Sequence, residues 1–173
     1  MITFQNIIYQ LGANGPLFMV AFSLLLLKSY PKYFVLFLLG SVMNALVNYL
    51  LKGLIAQGRP EDDKVELEKA YRKILDFNRF GMPSGHTQIA FFTTVFVYLA
   101  TQDIRILIAY FILSLIVIYQ RVEYKHHFLS QTLVGALVGA FLGWATFQYG
   151  VKIHKGHLEA KKDDFYFGIG ASV

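Results

Sequence analysis

"GMPSGHTQIAFF", residues 81–92, passes from a Gly-Pro turn into an apolar run. A helix that starts there and continues to Ala100 is bound for nonpolar surroundings. Its head nevertheless carries Pro83, Ser84, Gly85 and His86, where leucine or valine would cost less. A Pro-Ser-Gly start leaves backbone N–H groups open at the positive end of a helix dipole, sets a hydroxyl beside them and lets an anion approach closely over glycine. That pattern suits a phosphate seat, with His86 adjacent to give or take a proton. Taken alone, Ser84 as a plain N-cap and His86 as an interfacial aromatic account for the stretch equally well.

The rest of the chain shows what that helix enters. Of 173 residues, 55% are hydrophobic, and the mean hydropathy is +0.47, above the range of a soluble globule; the class is a membrane protein. Charges retreat to short zones between five apolar runs: 16–27, 33–51, 85–100, 104–119 and 128–149. Each run is long enough, or nearly so, to cross about 30 Å of hydrocarbon. The sequence therefore predicts an all-α polytopic bundle of about five transmembrane helices plus interfacial helices, one domain over 1–173. Residues 1–15 lack a basic start and are interrupted by Gly12, Asn14 and Gly15, which argues against a cleavable signal and for a short interfacial segment. Residues 61–80 mix charges with Val65, Leu67, Ala70, Tyr71, Ile74 and Leu75 at helical spacing and read as an amphipathic connector. Residues 155–173, charged and then Gly-rich, are expected as a flexible tail. The last span carries Gly135, Gly139 and Gly143 four apart, a smooth face for close helix packing. The absence of cysteine removes disulfides and thiolate metal sites.

Alternating the spans across the bilayer puts the end of the second, the start of the third and the start of the fifth on one face, and a polar cluster lies at each. In "KGLIAQGRP", residues 52–60, a helix continuing to Gly58 projects Lys52 and Arg59 from one side to clamp an anion. Snorkelling cations at a membrane boundary would look the same. In "YQRVEYKHHFLSQTLVG", residues 119–135, Arg121 precedes two histidines, each with a hydrogen-bonding residue four places on: His126 with Ser130, His127 with Gln131. Either second member could fix its imidazole, and the residues alone do not choose between them. The balance of 16 Lys and Arg against 11 Asp and Glu, net +5, suits nucleic acid, anionic lipid or a phosphorylated substrate alike; it is the arrangement of the charges in clusters on one membrane face that leaves nucleic acid out of the expected partners.

The three clusters, in this order and spacing, resemble the type-2 phosphatidic acid phosphatase superfamily. Its Lys, six residues, Arg-Pro is matched by Lys52, Arg59 and Pro60. Its Pro-Ser-Gly/Ser-His is matched by Pro83, Ser84, Gly85 and His86, and its Arg, five residues, His, three residues, Asp by Arg121, His127 and position 131. Two positions depart: Gln120 stands where serine is common, and Gln131 where aspartate is usual. Gln131, "GMPSGHTQ" and the run 44–60 bring the chain nearest to the dolichyl-diphosphatase-like members, with the likeness covering most of residues 16–149.

The resemblance implies a membrane phosphatase acting on a polyprenyl diphosphate or other phospholipid, with no cofactor and no metal. It makes His127 the nucleophile of a phosphohistidine intermediate, Gln131 the support of its other ring nitrogen, and His86 the acid and then the base. Lys52, Arg59, Ser84, Gly85 and Arg121 would hold the phosphate oxygens. A neutral Gln131 accepts a hydrogen bond but gives imidazolium no charge stabilisation. Phosphatidate or another lipid monophosphate is the alternative substrate, and a catalytically silent scaffold the alternative class. A channel fits poorly because the polar groups gather at one face.

Other residues carry weaker expectations. Asn44 and Asn48, four apart inside the second span, read as interhelical hydrogen bonders or as lining of the route to the site. Tyr98, Tyr110, Trp144 and Tyr149 read as packing or interfacial anchors, and Arg79 as a contact to a second phosphate. Charge does not orient the chain: nine Lys and Arg lie on the active face and seven on the other, and setting aside the three assigned to phosphate leaves six against seven. By resemblance the site faces the lumen of the endoplasmic reticulum or, in a prokaryote, the exterior of the plasma membrane.

Overall fold

The computed structural model describes residues 4–60 and 77–169, with side chains over 5–60 and 77–153. The described residues form five long helices: α1 (Phe4–Leu27), α2 (Pro31–Ile55), α3 (Gly85–Thr101), α4 (Ile104–Glu123) and α5 (Leu129–Ile169). A 3-10 turn, Phe77–Arg79, precedes α3, and no strand occurs among the described residues. Among the described residues four segments are long and apolar enough to cross a membrane: Gln5–Leu27, Pro31–Ile55, Ile104–Glu123 and Leu129–Ile153. The fifth helix, α3, has 17 residues, about 25 Å at 1.5 Å per residue, the lower bound for a span. This all-helical polytopic bundle is the architecture the hydropathy predicts.

The shortest helix is the central one, since α3 packs against each of the other four and most extensively along α5. The small-residue face of α5 explains that contact. A Cβ at Gly135 would come 2.6 Å from Ser84 O, one at Gly143 2.6 Å from Phe92 O, and one at Gly139 would collide with Gln88 O. Only glycine lets the two backbones lie this close. Phe92 and Phe96 of α3 meet Phe37 of α2, with ring centroids 5.8 and 5.5 Å away, in a fully buried aromatic core.

The exterior is more apolar than the interior. Leu17, Leu39, Val42, Leu54, Leu137 and Phe141 face outward, whereas Ser23, Asn44, Asn48, Gln88, Thr94 and Ser114 are buried. Such an inversion fits a lipid solvent, where the outer surface gains nothing from polarity and every inner polar group must find a partner. Gln88 Nε2 donates to Asn44 O (2.9 Å) and Asn44 Oδ1 (3.0 Å), and Asn48 Nδ2 donates to Gln88 Oε1 (2.8 Å). The two asparagines thus act as interhelical hydrogen bonders. Tyr110 is buried with its hydroxyl on Ser23 Oγ (3.0 Å), while Trp144, half exposed, lies 5.9 Å from Phe141.

Three boundaries differ from the sequence reading. The first helix starts at Phe4 and runs unbroken through Gly12, Asn14, Gly15 and Pro16 instead of starting at Pro16. Gly12 does not interrupt it: a Cβ there would collide with Gln120 Cβ, so this glycine admits α4 alongside. Helix α2 stops at Ile55, where Ala56 turns left-handed (φ 49°, ψ 34°), so it does not continue to Gly58. The backbone of α5 is helical to Ile169, over most of the stretch expected as a tail; residues 170–173 lie outside the described residues, as do residues 61–76 of the expected connector.

Candidate active site

The C-terminal ends of α2 and α4 and the N-terminal ends of α3 and α5 meet at one end of the bundle, and the residues of the three polar clusters lie there. The charges of Lys52, Arg59 and Arg121 act on both His86 and His127, which places the five groups around one locus. The convergence required of the three clusters is therefore present.

Each group is delivered by a different local device. Lys52, in the last turn of α2 and buried, donates from Nζ to Phe80 O (2.6 Å). Arg59 comes from the irregular stretch after α2, because the left-handed Ala56 turns the chain back toward the 3-10 turn; its Nε donates to Arg79 O (3.3 Å) and its Nη2 to Asn78 O (3.0 Å). Lys52 and Arg59 thus do not share a helix face, and the carbonyls of 78–80 brace both cations. Arg79 serves here through its backbone carbonyl. Arg121 ends α4, and its Nε is buried without a hydrogen-bond partner, as are both amide atoms of Gln120. A buried guanidinium N–H with no partner is uncommon and is a donor available to an anion.

Ser84 is the N-cap of α3 in extended conformation, yet its side chain makes no cap hydrogen bond; Thr87 Oγ1 donates to Ser84 Oγ (3.2 Å), which leaves the serine proton free to donate elsewhere. The N–H groups of Gly85 and His86, in the first turn, have no carbonyl one turn back to bond. The turn before α3, which includes a cis Met82–Pro83 bond, is tied to α2 by Asn48 Nδ2 on Pro83 O (3.1 Å) and to α5 by Ser84 N on Gln131 O (3.0 Å). A Cβ at Gly85 would meet Asn48 Oδ1 at 3.1 Å, so Asn48 also supports the seat from beneath.

The two histidines differ in burial and surroundings. His126 is half-buried and Ser130 exposed, whereas His127 is 4% exposed and its Nδ1 lies 3.0 Å from Gln131 Oε1. The pair is not on one helix, since α5 begins at Leu129; Gln131 sits in its first turn and reaches back so that Oε1 accepts from Phe128 N (3.2 Å), half of a capping box. The other end of the amide fixes its direction. Gln131 Nε2 donates to Gly58 O (2.7 Å) and Gln57 Oε1 (3.0 Å), and a carbonyl such as that of Gly58 can only accept. The oxygen must therefore face His127, which makes Nδ1 the protonated nitrogen and leaves Nε2 with its lone pair. Burial pushes His127 down to about 3 against the opposing hydrogen bond of Gln131, and the Arg59, Lys52 and Arg121 charges add smaller pushes in the same direction as burial, so the ring is neutral at physiological pH.

Gln57, Gly58 and Gly81 escaped the sequence reading. A Cβ at Gly81 would run into the Gln131 amide, 2.6 Å from Nε2, and Gly81 N donates to Gln57 O (2.8 Å). The glycine opening "GMPSGH" was the available signal; nothing local marks Gln57. Among the described residues no group of three or more His, Asp or Glu is arranged to hold a metal ion.

A neutral imidazole with a bare Nε2, a second imidazole on a helix N-terminus and three cations around them make an arrangement suited to an anion such as phosphate. The PAP2 superfamily model matches residues 33–155, and the chain belongs to that superfamily. Among individual proteins it is 30% identical to the dolichyldiphosphatase of Saccharomyces cerevisiae over 114 residues, 60% of this chain and 46% of that protein. It is 32% identical to dolichyldiphosphatase 1 of Dictyostelium discoideum over 117 residues, 61% and 47% of the two chains. It is 29% identical to dolichyldiphosphatase 1 of Plecturocebus moloch over 150 residues, 77% and 60%. The matched regions thus span about half of the first two relatives. No solved structure gives a significant match.

Proposed function

We propose that the chain is an integral membrane phosphatase that removes the terminal phosphate of a polyprenyl diphosphate of the dolichyl type. The observation that carries this reading is the oriented, unprotonated Nε2 of His127 set among Lys52, Arg59 and Arg121. His127 Nε2 attacks the terminal phosphorus and the phosphoanhydride bond breaks; His86, held neutral by burial and the nearby cations until the charge of the diphosphate offsets them, takes up a proton as substrate binds and gives it to the departing lipid phosphate oxygen. His86 then takes a proton from water, whose oxygen attacks the phosphohistidine and releases inorganic phosphate and free His127. Lys52, Arg59, Arg121, the Ser84 hydroxyl and the Gly85 N–H hold the non-bridging oxygens and stabilise their charge in both steps, a role that metal ions fill in many phosphoryl-transfer enzymes. The names of the relatives supply the diphosphate headgroup and the lipid class. The open end of the bundle would face the lumen or the cell exterior.

The test is phosphate release by purified protein in detergent with excess chelator, comparing dolichyl, undecaprenyl and farnesyl diphosphates with phosphatidate and glucose 6-phosphate. The polyprenyl diphosphates should turn over fastest. His127→Ala should lose activity by at least about a thousandfold and His126→Ala should keep most of it. Preference for phosphatidate would refute the headgroup, and survival of His127→Ala would refute the nucleophile.

A further inference from the structure

The Gln131 amide makes more contacts than a histidine support requires. Its oxygen takes hydrogen bonds from His127 Nδ1 and Phe128 N, and its two N–H bonds go to Gly58 O and Gln57 Oε1. All four hydrogen-bonding positions of one carboxamide are filled, in a side chain with no exposed surface. The two halves serve different parts of the site. The oxygen faces the reacting imidazole, while the nitrogen faces the stretch after α2, where Gly58 precedes Arg59 directly. Gln57 extends the connection, because its own carbonyl accepts Gly81 N at the entrance to the phosphate seat. A carboxylate at position 131 could keep the first half but not the second: it has no proton for Gly58 O, and two oxygens would face each other across 2.7 Å.

We propose that Gln131 is a two-sided positioning residue: through its oxygen it orients His127, and through its NH2 group on Gly58 and Gln57 it sets the position of Arg59, so that the nucleophile and a phosphate-gripping cation are aligned by one side chain. The departure from aspartate at this position is then a structural requirement of this chain, not a weakened support. Gln57 becomes a positioning residue that no sequence motif marks, and it acts by holding the second N–H of Gln131. The inference rests on the phosphatase reading for its kinetic consequences but not for its binding consequences.

The experiment measures the affinity of purified protein for inorganic phosphate, by its competition in the turnover assay and independently by calorimetric titration without substrate. Gln131→Glu should weaken phosphate binding about tenfold and raise KM, the size typical for removing a supporting hydrogen bond. Gln57→Ala, a change at an exposed residue that leaves folding intact, should weaken it about threefold in the same direction. Arg59→Ala should cost much less in the Gln131→Glu background than in the wild type, because the cation is already displaced there. Additive losses in the double variant would overturn the proposal, as would an unchanged phosphate affinity in both Gln131→Glu and Gln57→Ala. Wild-type protein that binds phosphate but releases none from any lipid would refute the phosphatase reading while leaving the tether measurable by titration.

Discussion

At the scale of single residues, the decisive facts are protonation and direction. Burial above all pushes His127 down from its ordinary value near 6.5 to about 3 in the folded chain. Above pH 6.5 the ring is neutral in both states and its burial contributes nothing to pH dependence. Below that value the unfolded chain takes up a proton that the folded chain refuses, so stability falls as pH drops from 6.5 toward 3, by at most about 1.4 kcal/mol per pH unit. His127→Asn should flatten this part of the stability profile, read as Tm against pH in detergent; parallel profiles for the two proteins would contradict the buried neutral ring. The motif residues themselves were legible: Lys52, Arg59, Ser84, Gly85, His86, Arg121, His127 and Gln131 are brought to one end of the bundle. Their partners were not, because Gln131 meets Gln57 and Gly58 across 74 and 73 residues of sequence, and a donor's target at that distance leaves no local pattern.

At the scale of elements, the spacing of glycines held its meaning and single glycines did not. Gly135, Gly139 and Gly143 repeat with the helix and were readable as a packing face; they seat α5 on the backbone of α3. Gly139→Val should force the two helices apart at Gln88, cost roughly 1–3 kcal/mol or more, and separate Ser84 from Gln131 along with it. The expected readout is a lowered Tm together with loss of phosphate release, and a variant with full activity would show that the contact is not what holds the seat. Gly12 and Pro16 look like breaks on paper, but inside a bundle the neighbour at Gln120 decides. The end of α2 was illegible for a related reason. Ala56 carries no stop signal; its left-handed turn closes with its N–H on Lys52 O (2.9 Å), and the partners of the stretch beyond it, residues 78–81, lie about twenty residues on, where no local pattern reveals them.

At the scale of the whole molecule, stability is divided between an apolar outside suited to lipid and a polar inside whose groups are mostly paired with one another. Gln88→Leu leaves Asn44 and Asn48 without their shared partner and should cost about 1–3 kcal/mol, seen as a fall in Tm. Leu39→Ala, on the outer surface, should stay within about 0.5 kcal/mol. Equal effects would mean that the outer residues pack against something other than lipid. The hydropathy announced the bundle, but not which helix stands at its centre, since a short helix with buried threonines and glutamine looks like the poorest span of the set. That central placement bears on how such a chain diversifies. On the proposed function every group assigned to the phosphate hangs from the axle or from the ends that clasp it, so exchanging one aliphatic residue for another along the greasy rim would leave the grip on the phosphate as it is.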